Sequence, residues 1–207
     1  MQIFCFGDST VYGAWERGGG WVDRLKRSAV DFLETHPGKY LEIYNLGIPG
    51  DKTDGLAQRF TSETKQRVAN YKGELLFLFA FGANDAAFVP GTQEFRCPLE
   101  RFEANYRQVL REAKSLTDQV FVLTITPVNE EQCNPTEKSR MNAFVERYNS
   151  RLAHLAEEEG ANVIDIHSAF HEQGTQDLLS RDGIHPNARG YELIYSVVSE
   201  RISKLFC

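Results

Sequence analysis

Four short clusters in this chain carry residues able to do chemistry, and they are spread over almost its whole length. The first is Gly7-Asp8-Ser9-Thr10. A serine hydroxyl is a poor nucleophile at neutral pH, so it needs a base within hydrogen-bond reach and a third group to orient that base. The candidate base lies near the other end, in Arg181-Asp182-Gly183-Ile184-His185-Pro186. Of the five histidines, only His185 has a carboxylate three residues before it and a proline after it. Gly183 permits a tight turn through which Asp182 could fold back onto the His185 ring. Asp182 would then hold one imidazole nitrogen as a donor and leave the other to take a proton from Ser9. Each piece also has a plainer reading: Ser9 as a helix N-cap, His185 as a helix cap and Asp182 as a turn residue.

Acyl transfer also requires donors aimed at the oxyanion that develops on the substrate. Asn45-Leu46-Gly47-Ile48-Pro49-Gly50 offers Gly47, where the missing side chain lets a substrate oxygen approach a backbone N–H closely. Phe81-Gly82-Ala83-Asn84-Asp85 offers the Asn84 amide. Glycine and asparagine are common in turns, so neither cluster means much alone.

What gives the clusters weight is where the pattern of apolar residues puts them. Strands are predicted at Gln2–Phe6, Tyr40–Leu46, Leu75–Phe81, Gln119–Ile125 and Asn162–Ile166, each short, aliphatic or aromatic, and closed by Gly, Asp, Thr or Pro. Helical spacing links Trp21, Leu25, Ala29 and Phe32, then Phe102, Tyr106, Val109 and Ala113. It recurs through Met141, Phe144, Tyr148, Leu152 and Leu155, ending at Gly160, and through Leu193, Val197, Ile202 and Leu205 after a start signal at Pro186. Leu56, Phe60 and Val68 make a weaker match. Strand alternating with helix predicts a parallel sheet covered on both faces, with its ligand outside the carboxyl ends of the strands. Ser9, Gly47, Asn84 and the Asp182/His185 pair all follow predicted strands.

The clusters FGDST, NLGIPG, GAND and DGIHP, in this order, resemble the signature blocks of the SGNH/GDSL-type serine esterases and lipases, from about residue 3 to residue 190. The resemblance implies a three-layer α/β/α flavodoxin-like fold with a five-stranded parallel sheet. It implies Ser9 as nucleophile, Asp182 and His185 as the rest of a triad, and an oxyanion hole made of the Ser9 N–H, the Gly47 N–H and the Asn84 side chain. The family often has Leu or Ile where this chain has Thr10, a position that carries no chemistry. The substrates implied are short acyl esters, O-acetylated sugars, lysophospholipids or thioesters, with no cofactor.

Composition fits that reading. The 207 residues suffice for one domain, expected to run from 1 to 207, with a sizeable core. A net charge of −6 argues against nucleic acid or an anionic membrane as main partner, and no apolar run is long enough to cross a bilayer. The N-terminus shows no leader, so a cytoplasmic protein acting on a small-molecule ester is expected. Cys5, Cys97, Cys133 and Cys207 form no CxxC pair and are expected to be reduced, with Cys5 a core residue. His167 and His171 have HxxxH spacing without an HExxH motif or a third ligand, and no metal is expected there. Gly18-Gly19-Gly20 lacks the context of a phosphate loop and suggests a hinge.

Trp15, Trp21, Phe88 and Phe95 are read first as packing residues, although Phe88 and Phe95 fall in a long loop after the third strand. With Val128 near Pro127, they are candidates for an apolar substrate lining that favours short acyl chains. An α/β-hydrolase is disfavoured because no GxSxG elbow occurs. A non-catalytic flavodoxin-like module binding a nucleotide or phosphate would explain the fold. It gives no reason for Asn84, Asp182 and His185 to occur together.

Overall fold

The computed structural model describes residues 1–133 and 139–203; Leu205 and Cys207 lie outside them. Five parallel strands form the central sheet: β1 (Gln2–Gly7), β2 (Glu42–Gly47), β3 (Leu75–Ala80), β6 (Val120–Leu123) and β7 (Asn162–Ile164). Their spatial order is β2-β1-β3-β6-β7. This is the flavodoxin-like order, with the direction of winding switching between β1 and β3. A short antiparallel hairpin, β4 (Phe88–Val89) and β5 (Glu94–Phe95), stands apart from the sheet.

The sheet is covered on both faces, so its central strands are apolar throughout rather than alternating. On one face Phe4, Phe6, Phe77 and Phe79 meet α3 (Thr53–Val68), α4 (Leu99–Lys114) and α5 (Asn142–Glu158) through Phe60, Phe102, Tyr106 and Tyr148. On the other face Ile3, Cys5, Leu76 and Leu78 meet α2 (Trp21–Thr35), α6 (Ile166–Gln173) and α7 (Ala188–Ile202) through Trp21, Leu25, Phe170 and Ile194. Cys5 is fully buried in this second core.

The register fixes where the functional segments emerge. Gly7 lies level with Gly47 on one side and with Ala80 on the other, so the segments following β1, β2 and β3 leave the sheet at one edge, side by side.

The expected elements differ in detail. The fifth strand ends at Ile164, and Ile166 instead opens α6, because Asp165 accepts hydrogen bonds from the Ser168 N–H (3.0 Å) and hydroxyl (2.7 Å) and caps that helix. The weak pattern after the second strand is a full helix, α3, which buries Leu56 and Phe60. The last helix begins at Ala188, beyond Pro186, with Asn187 as its cap. Among the described residues no helix is long and apolar enough to cross a membrane. His167 and His171 have ring centroids 4.6 Å apart, with no cluster of three metal-ligating side chains among the described residues.

Candidate active site

β1 delivers Ser9 by ending abruptly. Asp8 caps a four-residue helical turn, α1 (Ser9–Tyr12), its Oδ1 accepting from the Thr10 N–H at 2.9 Å. That turn lifts the Ser9 hydroxyl off the sheet edge toward the segment before α7. There the His185 Nε2 lies 2.8 Å from Ser9 Oγ, and His185 Nδ1 lies 2.5 Å from Asp182 Oδ2. Residues 176 positions apart in sequence thus share one hydrogen-bonded chain.

The segment holding Asp182 and His185 is braced by its own backbone. Asp182 Oδ1 accepts from the Ser180 hydroxyl (2.8 Å) and from the N–H groups of Ile184 and His185 (3.0 Å each). Gly183 has φ +69°, a left-handed conformation that glycine adopts without cost, and an added Cβ there would lie 2.8 Å from the Asn129 carbonyl. The turn therefore folds Asp182 back onto the ring in the way its sequence predicts. Burial opposes ionisation of Asp182. The hydrogen bonds from the His185 ring and from the Ile184, His185 and Ser180 groups outweigh it, and they hold the carboxyl well below the usual range.

Asn84, at the end of the β3 segment, is buried beside Ser9. Its Nδ2 donates to Asp8 Oδ2 at 3.0 Å, and its Oδ1 accepts from Arg96 Nη1 at 3.0 Å and Arg140 Nη2 at 3.2 Å. With an acceptor at one end and two cationic donors at the other, the amide has one orientation, leaving one N–H of Nδ2 uncommitted. Asp8 itself is buried, and that burial pushes its carboxyl up to about 6 against the pull of the Thr10 N–H. Next to Asn84, Asp85 Oδ1 accepts from the N–H (3.0 Å) and hydroxyl (2.6 Å) of Thr53, fastening the segment after β3 to the start of α3.

Gly47 is placed differently from its expected role. It is the last residue of β2, and its N–H donates to Asn45 Oδ1 at 3.1 Å. A Cβ there would come within 2.2 Å of the Tyr12 nitrogen, so what the missing side chain permits is close packing of β2 against α1. The glycine that borders the space around Ser9 is Gly50, three residues on, and its N–H has no acceptor among the described residues. Both glycines stand in the same NLGIPG cluster. Choosing between them needed the end of β2, which the sequence pattern leaves uncertain by a residue or two.

A cavity of about 300 Å³ opens above these groups. Ser9, Gly50, Asn84 and His185 border it, with Ala86, Ile125, Val128, Met141 and Val145 as its apolar wall. Val128 borders this cavity. Phe88 and Phe95 lie elsewhere: in the β4/β5 hairpin they meet edge to face (centroids 5.5 Å) and both pack on Phe144 of α5, away from the cavity. Trp15, read first as a packing residue, instead borders the cavity at its mouth. It is 70% exposed, has φ 68°, and presents its ring edge-on to His185 at 6.3 Å. Trp21 is fully buried. Arg96, Arg140 and Trp15 have no motif signal of their own; only the fold brings them here.

A hydroxyl, an imidazole backed by a carboxylate, and amide donors gathered at the switch point of a parallel sheet are the equipment of a carboxylic ester hydrolase. The sequence model of the GDSL-like lipase/acylhydrolase family matches residues 5–193, and the chain belongs to that family. Among curated relatives, the human isoamyl acetate-hydrolyzing esterase 1 homolog is 27% identical, the alignment covering 99% of this chain and 84% of that protein. A GDSL esterase/lipase of Arabidopsis thaliana is 31% identical over 93% of this chain and 61% of its own length. Among solved structures, the lipase/acylhydrolase from Enterococcus faecalis superposes with a TM-score of 0.80 at 22% identity, covering 100% of this chain and 97% of that one. An acetylxylan esterase from Geobacillus stearothermophilus gives 0.71 at 19% identity, covering 97% and 93%.

Proposed function

We propose that the protein hydrolyses short-chain carboxylic esters, acetyl esters foremost, through an acyl-enzyme on Ser9. The observation that carries this reading is the continuous hydrogen-bonded chain from Ser9 Oγ through His185 to Asp182, at 2.8 and 2.5 Å. His185 takes the Ser9 proton as Oγ attacks the ester carbonyl, and Asp182 holds the imidazole in the tautomer that can accept it and steadies the imidazolium. The oxyanion is received by the Ser9 N–H, the Gly50 N–H and the free N–H of Asn84. Gly50 replaces Gly47 in this role because the Gly47 N–H is already committed to Asn45. His185 then returns the proton to the leaving alcohol, and water attacks the acyl-enzyme by the reverse route.

The leaving oxygen must sit next to His185 Nε2, so the alcohol lies on the side of Trp15 and the acyl group toward Ile125, Val128 and Val145. A cavity of about 300 Å³ must house both, and it is walled on the acyl side by residues in the packed core. Each further acyl CH₂ adds about 0.8 kcal/mol only while space remains. The acetate esters named for the human relative and the acetylxylan esterase among the structural neighbours support the same size class. Two measurements test the reading together: fluorophosphonate labelling located by mass spectrometry, and kcat/KM over p-nitrophenyl esters of rising acyl length. Labelling on Ser9 and a maximum between acetyl and hexanoyl are expected. A label on another residue overturns the mechanism, and a rise continuing to the dodecanoyl ester overturns the size class alone.

A further inference from the structure

We propose that Arg96 and Arg140 are positioning residues for the oxyanion hole, acting through the carbonyl end of Asn84. This rests on the reading of Asn84 as an oxyanion donor. Both guanidiniums donate to Asn84 Oδ1, at 3.0 and 3.2 Å. Each is also tied to one backbone carbonyl of the same wall. Arg96 Nη2 donates to the Gly50 carbonyl at 3.3 Å, and Arg140 Nη1 donates to the Ala83 carbonyl. Arg96 therefore spans two of the three segments that carry the oxyanion donors, one following β2 and the other following β3. Arg140 arrives from a third segment, ahead of α5, and borders the cavity itself.

Two consequences follow from the bonding. The first is geometric. An asparagine amide turned over by half a rotation would set its NH₂ against two guanidiniums and its oxygen against Asp8, so the arginines and Asp8 together exclude the orientation that could not donate. The second is electrostatic. A hydrogen bond accepted at the amide oxygen draws charge from the nitrogen and strengthens the N–H as a donor, and two such bonds from cations do so more strongly. Neither arginine forms an ion pair with a carboxylate among the described residues, although both are half-buried. Half-buried guanidiniums whose hydrogen bonds go to neutral oxygens are incompletely neutralised in the resting site. A negative charge appearing at the oxyanion, one amide away, relieves it in the transition state and not before, which is the condition for raising kcat rather than tightening substrate binding.

Four measurements test this, with p-nitrophenyl acetate as substrate and butylboronic acid as probe. Ser9 Oγ forms a bond to boron, its proton passes to His185, and boron becomes tetrahedral and negative, so the adduct reproduces the oxyanion's charge. Arg140→Met and Arg96→Met should each lower kcat about 10-fold to 100-fold, below the effect of removing a direct donor, with KM within about threefold. Boronate affinity should fall by the same factor as kcat. Arg140→Lys, which keeps the charge and one donor, should recover a large part of both. In the Asn84→Ala background, either methionine substitution should cost less than about twofold further, since the residue it acts through is gone. Wild-type-like kcat in a methionine variant would overturn the proposal. So would unchanged boronate affinity, a loss expressed in KM alone, or full additivity with Asn84→Ala. If the wild-type protein neither labels at Ser9 nor binds the boronate, the underlying reading of the site fails instead, and the inference falls with it.

Discussion

Two carboxylates flank the same serine, and the chain treats them in opposite ways. Asp182 sits in one self-bonded turn, accepts from a ring nitrogen, two backbone N–H groups and a hydroxyl, and is held ionised. Asp8 is buried under the oxyanion wall with two donors, Thr10 N–H and Asn84 Nδ2, and is pushed up to about 6 by that burial. In the proposed mechanism the difference follows from what each must do. A group that steadies an imidazolium must carry charge, so it is given enough donors to overcome desolvation. A group that only fixes the direction of an amide needs a lone pair, and full solvation of its charge can be given up. The base side is a local device. The oxyanion side is assembled from the ends of three strands and two loops, and braced by side chains brought from elsewhere.

The contrast breaks most readily on the base side. Ser9→Ala and His185→Ala should each remove nearly all turnover, by about 10⁴-fold or more, and to similar extents because they act as one unit. Asp182→Asn should cost somewhat less, roughly 10³-fold to 10⁴-fold, since the imidazole remains but its tautomer is no longer set. Steady-state kinetics on p-nitrophenyl acetate measures all three. Full activity in Asp182→Asn would show that Ser9 and His185 work as a pair and that the turn around Gly183 is only structural.

On the oxyanion side the losses should be graded. Asn84→Ala should lower kcat by roughly 10²-fold to 10³-fold with little change in KM, because the contact strengthens only as charge develops. A variant whose kcat survives would take Asn84 out of the wall and leave Asp8, Arg96 and Arg140 without a common purpose.

The two sides were also unequally legible in the sequence. DGIHP puts Asp182, the turn glycine and His185 within four positions, so local chemistry alone suggests how they meet. The sheet was legible too, because parallel strands buried on both faces read as unbroken apolar runs such as Leu75–Ala80. Asn84 could be found by its position after a strand. Arg96 and Arg140 could not: an arginine in a polar loop has the same local signature whether it faces water or an amide oxygen. Gly47 reads as a free loop glycine for a related reason, since only the register with β1 shows that it still belongs to the strand. Phe88 and Phe95 misled because a long apolar loop beside a site looks the same whether it lines the cavity or folds into a hairpin and packs on itself. Trp15 misled in the other direction, since burial is the usual fate of tryptophan and nothing in its neighbours announces a left-handed backbone.

The Asp8 contrast can be sharpened by its pH dependence. A carboxyl whose pKa rises from 3.8 unfolded to about 6 folded favours the folded state while protonated. Its contribution is therefore complete below about pH 4 and is lost as pH rises through about 6. At 1.36 kcal/mol per unit this is on the order of 3 kcal/mol. Asp8→Asn cannot ionise, so its stability relative to wild type should climb between pH 4 and pH 7 and then level off, whatever fixed cost the new amide imposes. Urea denaturation of both proteins across that range measures the difference directly. A flat difference would mean that Asp8 titrates as an ordinary exposed carboxylate, and the proposed division between the two acids would be wrong.

The smallest effect concerns the mouth of the cavity, where the base side meets the leaving alcohol. Trp15 holds a left-handed backbone that a bulky residue adopts only at a cost, and it leaves most of its ring in solvent beside His185. A backbone strained to expose an aromatic ring is explained if the ring receives part of the substrate. In the proposed mechanism the alcohol is the part that must pass there, because its oxygen takes the proton from His185 Nε2. Trp15→Ala should then raise KM for 3-methylbutyl acetate by about 4-fold to 15-fold, equivalent to one or two buried CH₂ groups. Methyl acetate, whose alcohol is too small to reach the ring, should be hydrolysed as before, and kcat should hold for both because the Ser9–His185 chain is intact. Comparing the two esters under identical conditions separates recognition from chemistry. An equal fall in kcat for both would place Trp15 behind His185 as a support for the base, and the alcohol would have to leave by the side of Met141.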